Sequence, residues 1–138
     1  MSAVIRNLNE VKAYRAAFHL QQRIYVLSRH WPREEAYSLT ARLLRSVRAI
    51  GADLAQLWTR RPEPAEFTAR LSIVDAEVAE TVHWLETAYR CGYLEKEQYQ
   101  SLIKECDALC NMLTAMARAS QKISVEDEAE HKVFWLDR

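Results

Sequence analysis

The chain has 138 residues, only two glycines and three prolines, and 19 basic against 19 acidic side chains. That length suits one domain with a real core, and 49% hydrophobic with 28% charged residues excludes both a disordered and a membrane-spanning chain. With glycine only at 51 and 92, the Gly-rich loops that cradle phosphates, dinucleotide fingerprints and nucleophile elbows are excluded, and a turn-rich β fold is disfavoured. Composition points to a helical protein.

The zero net charge hides a division. Residues 1–61 carry 11 Lys/Arg and 4 Asp/Glu, whereas 62–138 carry 8 and 15. Such a split fits an anionic partner for the basic half, or basic helices packed beside acidic ones within or between subunits. The N-terminal residues contain no long apolar run, so neither a signal peptide nor a membrane anchor is expected. Three cysteines form an odd set, and Cys106 and Cys110 stand four apart on a helical pattern. Their Cβ atoms would be roughly 5–6 Å apart, outside disulfide geometry without distortion. They read as packing residues of a cytoplasmic protein.

In chain order, Asn7 and Glu10 form a capping-box pattern that opens a first helix reaching about His30. Val11, Tyr14, Phe18, Ile24 and Tyr25 supply its apolar positions, widened by Ala17, Leu20 and Leu27. Trp31-Pro32 ends it, and Pro32 with Glu34 and Glu35 suits the first turn of a second helix. That helix carries Leu43, Val47, Ile50, Leu54 and Leu57 at alternating steps of four and three, a seam of the bundle type. Gly51 interrupts it at a cost of about 1 kcal/mol relative to alanine.

Thr-Arg-Arg-Pro-Glu-Pro at 59–64 is the clearest break. A third helix follows with Phe67, Leu71, Val74, Val78, Val82, Leu85 and Tyr89, and stops at Gly92, a left-handed C′ residue covered by Tyr93 and Leu94. A fourth, from about Glu95 to Ser120, places Leu102, Ile103, Cys106, Leu109, Cys110, Leu113 and Met116 on one face. Residues 121–138 read as a charged C-terminal tail or a short helix, with an acidic stretch at 126–130 before Val133-Phe134-Trp135-Leu136. The economical architecture is all-α: an up-down-up-down antiparallel four-helix bundle over residues 1–120, followed by that tail.

Helix bundles house carboxylate-bridged metal sites that need two Glu-x-x-His pairs and further glutamates. Glu80/His83 and Glu128/His131 match the pair spacing, but the second pair lies in the tail and the first helix offers only Glu10. A Glu/His metal-dependent enzyme is therefore the remote alternative, and no nucleophile, catalytic residue or cofactor is identifiable. Arg42, Arg45 and Arg48 recur at i, i+3 and i+6, away from the second helix's apolar seam, with Arg60 and Arg61 at its end and Trp58 nearby. Arginine forks match phosphate oxygens, so this cluster is a candidate nucleic-acid contact. An ion-paired helix face is the plainer use of the same residues.

Two stretches resemble a known family. Trp31-Pro32-Arg-Glu-Glu-Ala-Tyr-Ser-Leu39-Thr40 with the Arg42–Ile50 helix resembles its aromatic-Pro-x-Glu-Glu-x-aromatic-x-Leu-Thr hairpin and following helix. Leu71-Ser72-Ile73, Ala79-Glu80-Thr81, Trp84-Leu85-Glu86 and Cys91-Gly92-Tyr93-Leu94 with Tyr99 resemble its second half. The family comprises the small four-helix bundle proteins encoded by intervening sequences in bacterial large-subunit ribosomal RNA genes, sometimes mislabelled as ribosomal proteins. The accessory variability determinant of diversity-generating retroelements shares their fold. Over roughly residues 10–120 the resemblance implies a bundle that assembles as a ring, typically a homopentamer, and binds nucleic acid (RNA) without known catalysis.

The chain departs from the family pattern after Ile50: Gly51, Asp53, Gln56 and Leu57 stand where a Pro-x-Asn-Ile-Ala-Glu-Gly run is usual, and Leu44 replaces one of two paired arginines. Glu95 replaces a Ser-like cap, a less favourable start for the fourth helix. The expected function is a non-enzymatic oligomer contacting RNA through Arg42, Arg45, Arg48, Arg60 and Arg61, with Glu77, Glu80, Glu86 and Trp84 at the subunit interface. The alternative is a protein–protein adaptor or assembly module, for instance to a reverse transcriptase or another nucleic-acid enzyme.

Overall fold

The structure is a computed structural model that describes the backbone of residues 8–59 and 63–136 and the side chains of 10–57 and 63–121. Among these residues lie four α-helices: α1 (Leu8–Ser28), α2 (Leu39–Thr59), α3 (Pro64–Arg90) and α4 (Lys96–Leu136). Each packs on two neighbours around a square, α1 and α3 both against α2 and α4, so α1 and α3 occupy opposite corners. This is the antiparallel four-helix bundle that the apolar periodicity predicts. The seam of α2 is buried at every expected position, Leu43, Val47, Ile50, Leu54 and Leu57. It meets Phe67, Leu71, Val74, Val78 and Leu85 of α3 and Leu102, Cys106, Leu109, Leu113 and Met116 of α4.

On α1 the expected Ala17, Leu20 and Ile24 face the core, joined by Ala13, but the expected Phe18 and Tyr25 are 46% and 38% exposed. Small residues face inward because α1 approaches α2 closely where Gly51 lies: a Cβ built there would stand 3.9 Å from Ala17 Cβ. Asn7, and with it half of the predicted capping box, lies outside the described residues.

The second helix begins later than Pro32 implied. Arg33–Glu35 form a separate 3₁₀ turn, and α2 starts at Leu39. Glu35 ties this corner together: it accepts hydrogen bonds from Ser38 Oγ (2.7 Å) and from Tyr93 Oη (3.0 Å) of the α3–α4 connection. Ser38, Tyr93 and the Leu39 amide hold the Glu35 carboxyl below the usual carboxylate range. The Trp31 and Tyr93 rings lie 5.9 Å apart beside it.

Gly92, at φ +83°, ends α3 as expected, with Tyr93 N–H donating to Ala88 O (2.9 Å) and Gly92 N–H to Tyr89 O (3.0 Å). That is the hydrogen-bond pattern of a Schellman stop. The start of α4 is better satisfied than its Glu95 cap position suggested, because Gln98 Oε1 accepts the Glu95 N–H at 2.9 Å. A stop near Ser120 was expected, but α4 runs on unbroken to Leu136, so residues 121–136 extend a helix instead of forming a separate element.

Candidate functional site

Two of the predicted arginines and two of the predicted carboxylates meet along the groove between α2 and α3. Tyr37, Ala41, Arg42, Arg45, Ser46, Ala49, Glu77 and Glu80 line it, around a volume of about 480 Å³. Small side chains on α2 keep the floor low, and the Thr81 hydroxyl donates to Ser46 Oγ across the helix pair at 3.1 Å. Arg42 sits with its guanidinium 5.8 Å from the centre of the Trp84 ring. Trp84 in turn donates Nε1–H to Glu80 Oε1 at 3.2 Å. A guanidinium at that distance is drawn to the face of an indole, which fixes Arg42 without neutralising it.

The structure places the arginine trio on two sides of α2. At about 100° per residue, steps of three fan the trio around the helix. Arg42 and Arg45 line the α3 side. Arg48 turns to α1, where its guanidinium lies 5.6 Å from the Tyr25 ring centre and that of Arg29 lies 5.9 Å from it. Tyr25 and Arg29 were not recognised as candidates from the sequence, although they stand one helical turn apart and Tyr25 had been assigned to the core. Tyr37, 98% exposed at the mouth of the groove, was also missed. Arg60 and Arg61 lie outside the described residues, as does the side chain of Trp58.

The carboxylates also divide. Glu86 accepts from Arg90 on its own helix at 3.1 Å and does not line the groove. Glu77 is half-buried at the groove floor, its Oε2 buried without a hydrogen-bond partner. Burial first, and then the neighbouring Asp53 carboxyl and the Glu80 charge, push its acid up to about 8. A carboxyl in that setting keeps its proton near neutrality. Glu80 and His83 both touch Trp84, the imidazole edge-on with ring centres 4.6 Å apart. Among the described residues no group of three or more His, Cys, Asp or Glu side chains is arranged to hold a metal ion. Glu128 and His131 lie beyond the described side chains. No helix among the described residues is long and apolar enough to cross a membrane.

Three arginines are paired, whereas Arg15, Arg33 and Arg118 form no ion pair among the described residues. Arg23 bonds Glu105 and Ser101 of α4, Arg70 bonds Glu66, and Arg90 bonds Glu86. Arg29, Arg42, Arg45 and Arg48 form no ion pair among the described residues. α2 thus carries three arginines without a carboxylate partner, with Arg29 beside Arg48 across the Tyr25 ring.

Four helices in this order, packed around one apolar core, define the all-α four-helix-bundle class. The model of the 23S rRNA-intervening sequence proteins matches residues 9–115, and the chain belongs to that family. The fold is also that of a crystallised protein of unknown function from the S23 ribosomal protein family of Bacteroides thetaiotaomicron. The two share 24% identity and a TM-score of 0.72, over 80% of this chain and 99% of that one. No curated protein matches the chain.

Proposed function

We propose that this chain is a non-enzymatic cytoplasmic protein that assembles into a cyclic homo-oligomer, a pentamer in the form its family resemblance implies, and contacts RNA through the basic surface of α2. The observation that carries the RNA contact is the contrast between arginines. Those on α3 and the α4 side of α1 are neutralised by carboxylates, whereas Arg29, Arg42, Arg45 and Arg48 are not. Aromatic rings hold three of them in place, Arg42 on Trp84 and Arg29 and Arg48 on Tyr25. Forks fixed in this way lose little freedom on meeting phosphate oxygens, and they grip a backbone without reading sequence. Arg60 and Arg61 extend the basic surface in the sequence.

The mixed charge of the groove favours a second use. The Glu80 carboxylate and the protonated Glu77 beside Arg42 and Arg45 suit a protein partner, either another copy or a nucleic-acid enzyme to which the chain acts as adaptor. Replacing Arg42, Arg45 and Arg48 together by alanine separates the two. Lost RNA retention with unchanged mass in solution supports the RNA contact; retained RNA with a fall in mass shows that these arginines serve assembly instead.

A further inference from the structure

The outer face of α1 carries large apolar side chains that nothing among the described residues fully covers. Phe18 is 46% exposed and Val26 57%, and a shallow apolar hollow runs between Tyr14, Phe18 and Gln22. At about 100° per residue Phe18, Gln22, Val26 and Arg29 form one outward stripe. Its charge has one sign. The exposed ionisable side chains of α1 include Lys12 and Arg15, with Arg29 just past its end, and its single carboxylate, Glu10, is buried.

On the opposite corner of the bundle, α3 presents the complement. Its exposed outward face carries the small residues Ala65, Ala69, Ser72, Ala76 and Ala79 at a four-three-four-three spacing, with Glu80, His83 and the 58% exposed Ile73 beside them. From Ser72 to His83 the helix has no lysine or arginine, while the exposed Asp75 and Glu80 give it negative charge. A smooth acidic helix face lets a second helix approach closely, and a bulky basic face fills it.

We propose that the outer face of α1 in one copy, centred on Phe18 and Arg15, docks on the outer face of α3 in a second copy, centred on Ala76 and Glu80. This rests on the assembly reading above and names the two surfaces that would carry it. Because α1 and α3 occupy different corners of one molecule, each copy offers one face of each kind, and the contact is head-to-tail. Such heterologous contacts close into rings when the rotation between copies permits. They leave Arg48, on the α1 side of α2, outside the paired faces, whereas Arg42 and Arg45 share the groove with Glu80 at the edge of the α3 face.

The test uses two full-length variants, Phe18→Asp on the bulky face and Ala76→Arg on the smooth face, with mass measured by light scattering and helicity by circular dichroism. Each variant alone is expected to fall to the mass of one chain with helicity unchanged. Mixed in equal amounts they keep one intact face each, so the mixture is expected to rise to the mass of two chains and no further. A parent protein with the mass of one chain overturns both the assembly reading and this one. An oligomeric parent whose mass survives both substitutions overturns this inference and leaves assembly standing. Variants that dissociate but do not pair on mixing overturn it equally. Should either variant lose helicity, Arg15→Glu and Glu80→Arg, both at exposed positions, replace them with the same expected outcomes.

Discussion

Glu77 on α3 faces Asp53 on α2, and burial together with that second carboxyl pushes the Glu77 acid up to about 8. Two carboxyls across a helix pair cannot both ionise cheaply, so Glu77 holds its proton in the folded chain at pH values where the unfolded chain has released it. The folded value lies above the ordinary 4.5 of a glutamate. The contribution to stability is therefore complete below about 4.5 and is lost progressively as pH rises to about 8. Glu77→Gln keeps the shape and removes the titration. Thermal unfolding should show parent and variant together below pH 4.5 and the variant more stable above pH 8. With the partly exposed group discounted for solvent, the gap is on the order of 1–2 kcal/mol. Asp53→Asn, which restores the amide usual in the family pattern, should narrow the gap by lowering the Glu77 value. Coincident pH profiles for parent and Glu77→Gln would refute the shared-proton account.

Gly51 sits inside α2 with an ordinary helical backbone, and a Cβ there would meet Gln21 Oε1 at 3.5 Å, Ala17 Cβ at 3.9 Å and Tyr14 Cε2 at 4.0 Å. These are contact distances without a clash. Gly51→Ala should therefore stabilise the bundle by about 1 kcal/mol through helix propensity and reduced freedom of the unfolded chain. The midpoint of urea unfolding should rise with an unchanged slope. A fall would show that α1 and α2 approach more closely than these distances indicate.

Gly92 is the opposite case. No atom lies within 4 Å of a Cβ built there, yet its φ of +83° is one that L side chains resist. Gly92→Ala should cost about 1–2 kcal/mol from backbone conformation alone, read as a lower urea midpoint. Equal stability would mean that the α3–α4 connection relaxes without its Schellman hydrogen bonds.

The bundle was legible because α2, α3 and α4 bury large aliphatic residues at regular spacing, and Leu43 to Leu57 declares that face unambiguously. On α1 the same reasoning favoured Phe18 and Tyr25 over Ala13 and Ala17, since periodicity weighs residues by apolar size and not by the space available. The start of α2 was misplaced because Pro32 and two glutamates satisfy the rules for a helix opening, and the competing 3₁₀ turn is stabilised by Tyr93, distant in sequence. The arginine cluster was legible in kind but not in direction. Steps of three showed that Arg42, Arg45 and Arg48 point outward, and only the neighbouring Trp84 and Tyr25 decide which side each takes. The Asp53–Glu77 pair had no signal within either helix.

The Glu35 corner allows a residue-level titration. Ser38 and Tyr93 both donate to this carboxylate and hold it below its ordinary value, and the Tyr93 hydroxyl is correspondingly raised. Tyr93→Phe removes one donor while keeping a ring beside Trp31. The Glu35 carboxyl carbon, followed by NMR, should then titrate at higher pH than in the parent, with Ser38 preventing full return to the ordinary value. Contributions of this sign are present at neutral pH and fade as pH falls through the folded value, so the variant should lose less stability on acidification. An unmoved Glu35 titration would place its stabilisation in Ser38 and the Leu39 amide alone.

The three thiols should react in a fixed order. Cys91 is exposed at the end of α3, Cys110 is half-buried and Cys106 is buried on the α4 seam. Burial, followed for Cys110 by the nearby Asp75 carboxylate, pushes Cys110 up to about 11. Burial, followed by the neighbouring Cys110, pushes Cys106 up to about 12. Thiolate is the reactive form, so high values and poor access act in the same direction. With a thiol-specific reagent near neutral pH, Cys91 should be modified first and Cys110 more slowly. Cys106 should react only at the rate of global unfolding, and in denaturant all three should react together. Peptide mapping after timed quenching checks the order. Early modification of Cys106 in the folded chain would mean that the α4 seam opens locally without unfolding the bundle.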